Sequence, residues 1–284
     1  MELKRIGLLV GALGILAAIF TASESSAAPT LHRGVTPEGV PYGWVGDLPK
    51  KPAPTVIFLG GDIATNLTAS AYAEGVDAIC KVAFCITLDG PSEGSDRKNQ
   101  RISSLEEWAV RAVEREDFVS KFVTRSKTML DYLIGQGKVD PQRIGIFGTS
   151  RGAYIGFHLA ASDPRIKAIA AFSPLTNLTA LSEFQADFNT KTAASKLTMI
   201  SNAELRKKLP GIPIWITIGS SDTRVGTDEA IRFSRSITEA AIAKKAPPVI
   251  ELRVLPADGH NSPAGSYADG AAWMKKQLNI QGGM

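Results

Sequence analysis

Cysteine is scarce in this sequence, whose 284 residues include two, Cys80 and Cys85. A structural zinc site takes about four cysteine or histidine ligands, and neither cysteine has such neighbours in the sequence. We therefore predict no metal site. Histidine is almost as scarce, with three in the chain, so a reaction that needs a histidine base has few candidates.

Clusters of lysine and arginine are also missing. The formal net charge is +4 and the pI is about 9.0, values typical of a mildly basic, solvated surface. The basic pairs at 207–208 and 244–245 are too short to form a nucleic-acid-binding patch. We therefore expect no nucleic-acid partner.

Long hydrophobic runs are missing except near the N-terminus. There Lys4 and Arg5 precede an apolar run over residues 6–20, and the segment TASESSAA follows. This order is typical of a secretory signal peptide, with cleavage after Ala27. An uncleaved anchor is the alternative, but the run is shorter than the about 20 residues that a spanning helix needs. We expect residues 1–27 to be removed and the rest to be secreted or periplasmic, with no stable membrane span.

Export would allow a disulfide bond between Cys80 and Cys85. Cys80 falls at the end of a predicted helix and Cys85 inside an apolar, strand-like run, so a bond would tie the helix to the next strand. The alternative is two buried thiols, since a free cysteine packs as a small hydrophobic residue. The sequence leaves both open.

Residues 28–284 have the composition of one globular domain, because 44% of the chain is hydrophobic and 21% is charged. From residue 55 onward, solidly apolar runs alternate with helix-like segments. Solid apolar runs are typical of strands buried on both faces of a parallel sheet. The alternation therefore predicts an α/β fold, with a mostly parallel central sheet that helices cover on both faces.

The predicted elements follow this alternation. Residues 29–54, rich in proline and glycine, predict one or two short edge strands. Residues 177–210 form a long polar connection, which predicts a small cap insertion. Large apolar side chains between residues 105 and 136 recur at helical spacing and are predicted to pack in the core: Trp108, Val110, Val113, Phe118, Phe122, Met129 and Leu130. The predicted strands lie at 55–59, 83–88, 143–147, 166–172, 212–218 and 249–255, and the predicted helices at 68–79, 105–136, 153–162 and 227–243.

The motif GTSRG, residues 148–152, follows the predicted strand RIGIF. It matches G-x-S-x-G, in which a tight strand-to-helix turn exposes a serine that can act as a nucleophile. A helix follows at once, and Gly152, Gly156 and Ala160 would give it a smooth stripe for packing on the sheet. By itself the motif could be an ordinary glycine-rich bend. Its context makes Ser150 a candidate nucleophile.

A serine nucleophile needs a base, and the positions of the three histidines select one. Ligands of an open parallel sheet bind beyond the carboxyl ends of its strands. His260 lies on that edge, in the loop PADGHNSP after the last strand. His158 is carried about 12 Å along the helix that follows Ser150, so we expect it to pack between helices. His32 lies in an N-terminal arm with no predicted anchor.

Asp222 is the predicted partner of His260. It follows a buried strand, and it lies between Ser150 and His260 in the chain, as the order of such residues requires. Asp258 is too near His260 in sequence to brace the ring from behind. The alternative role for Asp222 is to cap a helix or turn.

The negative oxygen formed when a serine attacks a carbonyl needs hydrogen-bond donors. The backbone N–H of Arg151, directly after the serine, is one predicted donor. The loop FLGGD after the first strong strand should supply the other, from Gly61 or from the neighbouring Asp62.

The motifs GTSRG, SSDTRVGTDEA and DGHNSP resemble, in this order, those of the α/β-hydrolase superfamily, and more narrowly its secreted esterases of the dienelactone-hydrolase and prolyl-oligopeptidase-like branch. The resemblance covers about residues 40–280. It implies the α/β-hydrolase fold, a triad of Ser150, His260 and Asp222, a covalent acyl-enzyme and no cofactor. Many relatives have a histidine before the oxyanion glycines, where this chain has Leu59.

With this resemblance, the sequence predicts a secreted serine hydrolase that cleaves a carboxylic ester of a small molecule or a polymer. The first alternative is a peptidase, amidase or acyltransferase with the same residues. We disfavour a peptidase, because the chain has no room for the β-propeller of prolyl oligopeptidases. The second alternative is a non-catalytic binding protein on a hydrolase scaffold, which would typically lack one of the three residues.

Overall fold

The computed structural model describes residues 30–281, which fold around one eight-stranded sheet. Its strands are β1 Leu31–Val35, β2 Pro41–Val45, β3 Ala53–Leu59, β4 Phe84–Thr87, β5 Val139–Thr149, β6 Ile166–Phe172, β7 Ile214–Gly219 and β8 Ile250–Leu255. Their order is β1-β2-β4-β3-β5-β6-β7-β8. β2 pairs antiparallel with β1 and β4, and the other neighbours are parallel. The predicted signal peptide lies outside the described residues.

Helices connect most of the strands. They are α1 Ile63–Thr68, α2 Ala73–Ile79, α3 Ser104–Val113, α4 Phe118–Gly135, α5 Arg151–Ser162, α6 Phe188–Lys208, α7 Thr227–Ala243 and α8 Ser266–Gln277. Side chains satisfy the free N–H groups where several of them begin. Ser103 Oγ accepts the Glu106 N–H, and the Glu106 carboxylate accepts the Ser103 N–H, so the two form a capping box at the start of α3.

Alternate side chains of the strands pack into two hydrophobic cores, one on each face of the sheet. In β3, Ile57 and Leu59 join the core beneath α3, α4, α5, α6 and α7. Val56 and Phe58 point the other way, into the core beneath α2 and α8. All four are buried. This burial on both faces explains the solid apolar runs in the sequence, and the predicted α/β architecture is confirmed.

The predicted helix over residues 105–136 is two helices, α3 and α4. Arg115 has a φ of +60°, a left-handed conformation through which a right-handed helix cannot continue. Asp117 then starts α4 by accepting the Ser120 N–H. Val110 and Val113 lie on the outer side of α3 and are 45% and 41% exposed, so the prediction that they pack in the core is wrong.

Three further segments differ from the sequence prediction. Residues 68–79 are divided between α1, a 3₁₀ turn at Ser70–Tyr72, and α2. His32 is not in an unanchored arm, because it lies in β1 opposite Trp44 and stacks on that ring with centroids 5.3 Å apart. Helix α8 was not predicted, since its alanines and glycine make a weak apolar pattern.

A disulfide bond joins Cys80 and Cys85. Cys80 is the residue that ends α2, and Cys85 is fully buried in β4. The bond therefore fixes the end of α2 to the sheet. Of the two alternatives that the sequence left open, a disulfide bond or two buried thiols, the structure has the disulfide bond.

The segment predicted as a cap insertion, residues 177–210, lies between β6 and β7. It starts with 3₁₀ turns at Leu178–Ala180 and Ser182–Gln185 and continues as α6, which contacts α3, α5 and α7. Glu183 in the second turn forms a salt bridge with Arg224. The insertion thus combines a helix on the outer layer with a turn that reaches the loop after β7.

Candidate active site

Ser150 lies between β5 and α5, in a turn that two glycines make sharp. Its φ is +54°, a strained value for a residue with a side chain. A Cβ at Gly148 would lie 2.6 Å from the Cα of Ala153, and one at Gly152 would lie 2.0 Å from the carbonyl oxygen of Leu59. Both positions therefore require glycine. The strand, turn and helix around GTSRG are arranged as the sequence predicts.

The imidazole of His260 lies between Ser150 and Asp222, within hydrogen-bond distance of both. His260 Nε2 is 2.9 Å from Ser150 Oγ, and His260 Nδ1 is 2.8 Å from Asp222 Oδ2. When Nδ1 carries the proton and donates it to the carboxylate, Nε2 is free to accept the serine proton. Three residues far apart in the sequence thus form one chain of hydrogen bonds.

The Asp222 carboxylate is buried and oriented by the backbone. Its Oδ1 accepts the N–H groups of Arg224 at 3.0 Å and Val225 at 3.1 Å. These bonds leave Oδ2 for His260. The Asp222 side chain has no exposed surface, whereas the His260 side chain is 30% exposed. One side of the imidazole therefore faces solvent.

Parallel strands bring these loops to one edge of the sheet. Ser150 follows β5, Asp222 follows β7 and His260 follows β8. The Ser150 N–H donates to the carbonyl of Phe172, at the end of the intervening strand β6, at 2.9 Å. Within residues 30–281, no hydrogen bond joins the side chain of Asp258 to His260.

The predicted oxyanion donors have different surroundings. Arg151 is the first residue of α5, so its N–H has no acceptor within the helix. The Gly61 N–H donates to Asn66 Oδ1 at 2.7 Å, so in this structure it already has an acceptor. The alternative, Asp62, directly precedes α1. Its N–H has no hydrogen-bond acceptor in the part of the chain that the structure describes.

A buried polar network holds the Gly61 loop in place. Asn66 Nδ2 donates to the Gly61 carbonyl at 3.2 Å and to Thr87 Oγ1 at 2.8 Å. Asp89 Oδ1 accepts the Ile63 N–H at 2.9 Å. Asn66, Thr87 and Asp89 are all buried. None of the three is among the predicted site residues. The signal for Thr87 and Asp89 is that polar residues stand where an apolar strand ends, at the edge of the sheet where ligands bind.

The side chain of Arg151 ties the serine turn to three other segments. Its Nε donates to the Gly60 carbonyl at 2.8 Å. Its guanidinium also contacts the Glu93 carboxylate and the Ser104 hydroxyl. The turn after β5, the loop after β3 and the start of α3 are therefore linked by one side chain. The motif GTSRG indicated a role only for the backbone of this residue.

Tyr267 is a further residue that the sequence prediction omitted. Its hydroxyl lies 3.1 Å from Thr149 Oγ1, and it accepts the Ser262 hydroxyl proton at 3.3 Å. Thr149 directly precedes Ser150, and Ser262 lies in the loop of His260. Burial raises the pKa of Tyr267, so the hydroxyl keeps its proton and can donate it. This residue connects the strand of the serine to the loop of the histidine.

The other two histidines lie apart from these residues. His158 is buried on α5 and packs edge-on against Tyr154, with ring centroids 5.0 Å apart. It makes no contact with Ser150, in line with the expectation that it packs between helices. Burial lowers the pKa of His158 to about 4, so the ring is neutral at neutral pH.

Within residues 30–281, no three side chains of the metal-binding types are grouped as a metal site would need. Among the helices of the same residues, none combines the length and the apolar character needed to cross a bilayer.

The fold is similar to those of several solved structures. TT1662 from Thermus thermophilus is 16% identical over 89% of this chain and 99% of that chain, with a TM-score of 0.63. The Pyrococcus furiosus esterase Pf2001 is 19% identical over 89% of this chain and 91% of that chain, with a TM-score of 0.55. A puromycin-hydrolyzing peptidase from Mycobacterium tuberculosis is 16% identical over 89% of this chain, with a TM-score of 0.59, and the chain spans 40% of its length. No curated protein matches the sequence.

These similarities and the mostly parallel sheet define the fold as that of an α/β-hydrolase, as the sequence predicts. The model of the Esterase family matches residues 39–282, and the chain belongs to that family.

His158 gives the protein a pH-dependent stability. Its pKa is about 4 in the folded chain and 6.5 when unperturbed. Below about pH 6.5 the unfolded chain binds a proton that the folded chain does not. The contribution of His158 to the free energy of unfolding is therefore fully present above that pH and is lost as the pH drops toward 4. His158→Phe should remove this part of the pH dependence, which amounts to at most about 1.4 kcal/mol per pH unit.

Urea denaturation between pH 4 and pH 7 measures the effect. His32→Phe, on an edge strand, is the matched control and should keep the slope of the wild-type protein. Equal slopes for the wild type and His158→Phe would contradict the assignment.

Proposed function

We propose that this protein is a serine esterase in which Ser150 is the nucleophile, His260 the general base and Asp222 the residue that orients the base. The observation that carries the proposal is the chain of hydrogen bonds from Asp222 through His260 to Ser150. A serine hydroxyl is a weak nucleophile until a base removes its proton, and Nε2 of His260 is within reach of that proton. The Esterase family and the α/β-hydrolase fold support a hydrolase.

In the first half-reaction, Ser150 Oγ attacks the carbonyl carbon of the ester while His260 Nε2 takes the hydroxyl proton. The carbonyl oxygen becomes an oxyanion, and we assign the N–H groups of Arg151 and Asp62 as its donors. The bond to the alcohol oxygen then breaks, and His260 gives its proton to the leaving alcohol. An acyl group remains on Ser150. Asp222 stabilises the imidazolium that exists between the two proton transfers.

In the second half-reaction, water replaces the alcohol. His260 takes a proton from the water as its oxygen attacks the acyl carbon, and the oxyanion forms again at the same donors. The bond to Ser150 Oγ breaks, His260 returns the proton to the serine, and a carboxylic acid leaves. Apart from the attacking water, side chains and backbone amides supply every group that these steps need, so the proposal includes no cofactor.

We propose a carboxylic ester as the substrate, in a small molecule or attached to a polymer. Membership of the Esterase family supports an ester. The exposure of His260, which would protonate the leaving alcohol, suits an alcohol part that extends into solvent. A peptidase, an amidase or an acyltransferase with the same residues is the alternative, and the solved structures similar to this chain include a peptidase.

The first test is Ser150→Ala. It should lower kcat/KM for p-nitrophenyl acetate by about 10³-fold or more, because no other group can carry the acyl intermediate. Ser162→Ala, at the far end of α5, is the control and should keep full activity. A fluorophosphonate probe should label the wild type at Ser150, as read by peptide mass mapping. Full activity in Ser150→Ala, or labelling at a different serine, would overturn the assignment.

The second test is Asp222→Asn. An amide nitrogen at the position of Oδ2 cannot accept the Nδ1 proton, so the ring adopts the wrong tautomer and kcat should fall by about 10²- to 10⁴-fold. Asp258→Asn is the matched control, since that residue lies in the loop of His260 without bonding to it. Steady-state kinetics separates the two variants. Similar losses in both would remove Asp222 from its proposed role.

We also propose that the chain is exported, with residues 1–27 as a cleaved signal peptide and the remainder as the enzyme. The bond between Cys80 and Cys85 supports export, because disulfides persist mainly in oxidising compartments. Mass spectrometry of the mature protein from the culture supernatant or the periplasmic fraction should find Ala28 at the N-terminus. A mature chain that still begins at Met1 would contradict this.

A further inference from the structure

A cavity lies in the outer helix layer, and Ser150, Asp222 and His260 do not line it. It has a volume of about 300 Å³ and lies between the α3–α4 turn, α5 and α6. Small-molecule sites start at about this size. Most of its wall is apolar and is formed by Ala112, Phe118, Val119, Tyr154, Ala193, Leu197 and Ile200.

Two cationic side chains at its rim have no acidic partner. Arg115 and Lys196 line the cavity, and both are exposed. Neither forms a salt bridge with any residue between 30 and 281. Their charges are therefore free to act on a ligand.

The acidic side chains around the cavity are already engaged. Glu116 accepts hydrogen bonds from three neighbouring cations. Glu204 pairs with Lys208 at 2.8 Å, and Asp117 accepts the Ser120 N–H at 2.9 Å. The side-chain charges without an ion-pair partner among the lining residues of the described chain are then the two cations and the single carboxylate of Asp117, so the balance favours an anion.

Arg115 has a backbone conformation that favours glycine. Its φ is +60°, just after the end of α3, where a left-handed residue is most often glycine. The turn itself has no need of a long cationic side chain. Strained residues of this kind are concentrated at functional positions, and this one lines the cavity.

The inner wall carries no charge. His158 is buried and neutral, and its Nε2 has no hydrogen-bond partner in the described chain. The Tyr154 hydroxyl is bonded to Ser201 Oγ at 2.8 Å. A buried polar atom without a partner is rare in folded proteins. Apart from His158 Nε2, the polar side-chain atoms of this wall are bonded to each other, so most of the wall is suited to a hydrocarbon chain rather than to a charged group.

We propose that this cavity binds a medium-chain aliphatic carboxylate, with its hydrocarbon chain against the inner wall and its carboxylate near Arg115 and Lys196. Arginine and carboxylate groups match in geometry and can form two parallel hydrogen bonds. Since a water-sized group takes about 30 Å³, the cavity has room for about ten non-hydrogen atoms. Octanoate has this size. The proposal is independent of the reaction assigned to Ser150.

The test is calorimetric titration of the protein with octanoate, with 1-octanol as the uncharged analogue. Octanoate should bind at one site and about tenfold more tightly than octanol, the gain expected from a charge-assisted hydrogen bond. Ser150→Ala should bind octanoate as the wild type does, which separates this site from the catalytic one. Octanoate that binds no more tightly than octanol would overturn the proposal.

Two variants test the rim. Arg115→Gly removes the cation and suits the local φ, so the fold should be retained, and Lys196→Gln removes the second cation from an exposed position. Each should weaken octanoate binding by about three- to tenfold and leave octanol binding unchanged. Lys191→Gln, on the same helix but outside the cavity, is the control.

Methyl NMR spectra would locate the ligand. Octanoate should shift the methyl signals of Ala193, Leu197 and Ile200. Shifts confined to residues near Ser150, or equal losses of affinity in Arg115→Gly and Lys191→Gln, would contradict binding in this cavity.

Discussion

The close approach of Gly152 to the backbone of Leu59 and Gly60 is the contact on which the rest of the site depends. It allows the start of α5 to pack directly on the loop after β3, with no side chain between them. The Arg151 side chain can then reach the Gly60 carbonyl. A larger residue at 152 would push the two backbones apart and separate the serine turn from the loop that faces it.

Both helix layers help to hold the strained turn at Ser150. On one face of the sheet, Ser104 at the start of α3 contacts the Arg151 side chain. On the other face, Tyr267 of α8 bonds to Thr149. A strained backbone conformation persists only where the surrounding contacts hold it in place. Here those contacts come from both faces of the sheet. The catalytic geometry that we propose therefore depends on the packing of two separate cores.

The strands and the three polar residues at their ends could be predicted, because both follow from order along the chain. A buried parallel strand reads as a solid apolar run, and Ser150 and Asp222 each follow one. His260 follows the edge strand β8, which is partly exposed and includes Glu251 and Arg253. The hydrogen bond from the Gly61 N–H to the Asn66 side chain could not be predicted, because the direction in which a side chain points depends on the tertiary structure. The break between α3 and α4 was missed for a different reason. Its left-handed residue is Arg115, and the sequence has neither glycine nor proline there.

Asp222 receives two of its hydrogen bonds from backbone N–H groups at positions 224 and 225. The path of the loop, rather than the identity of its side chains, therefore sets the direction of the carboxylate. At those two positions proline alone is excluded outright, because it has no N–H to donate. A substitution that keeps these two N–H groups and the path of the loop would therefore leave the direction of the Asp222 carboxylate unchanged, even at Arg224, whose side chain lies on the surface beside it.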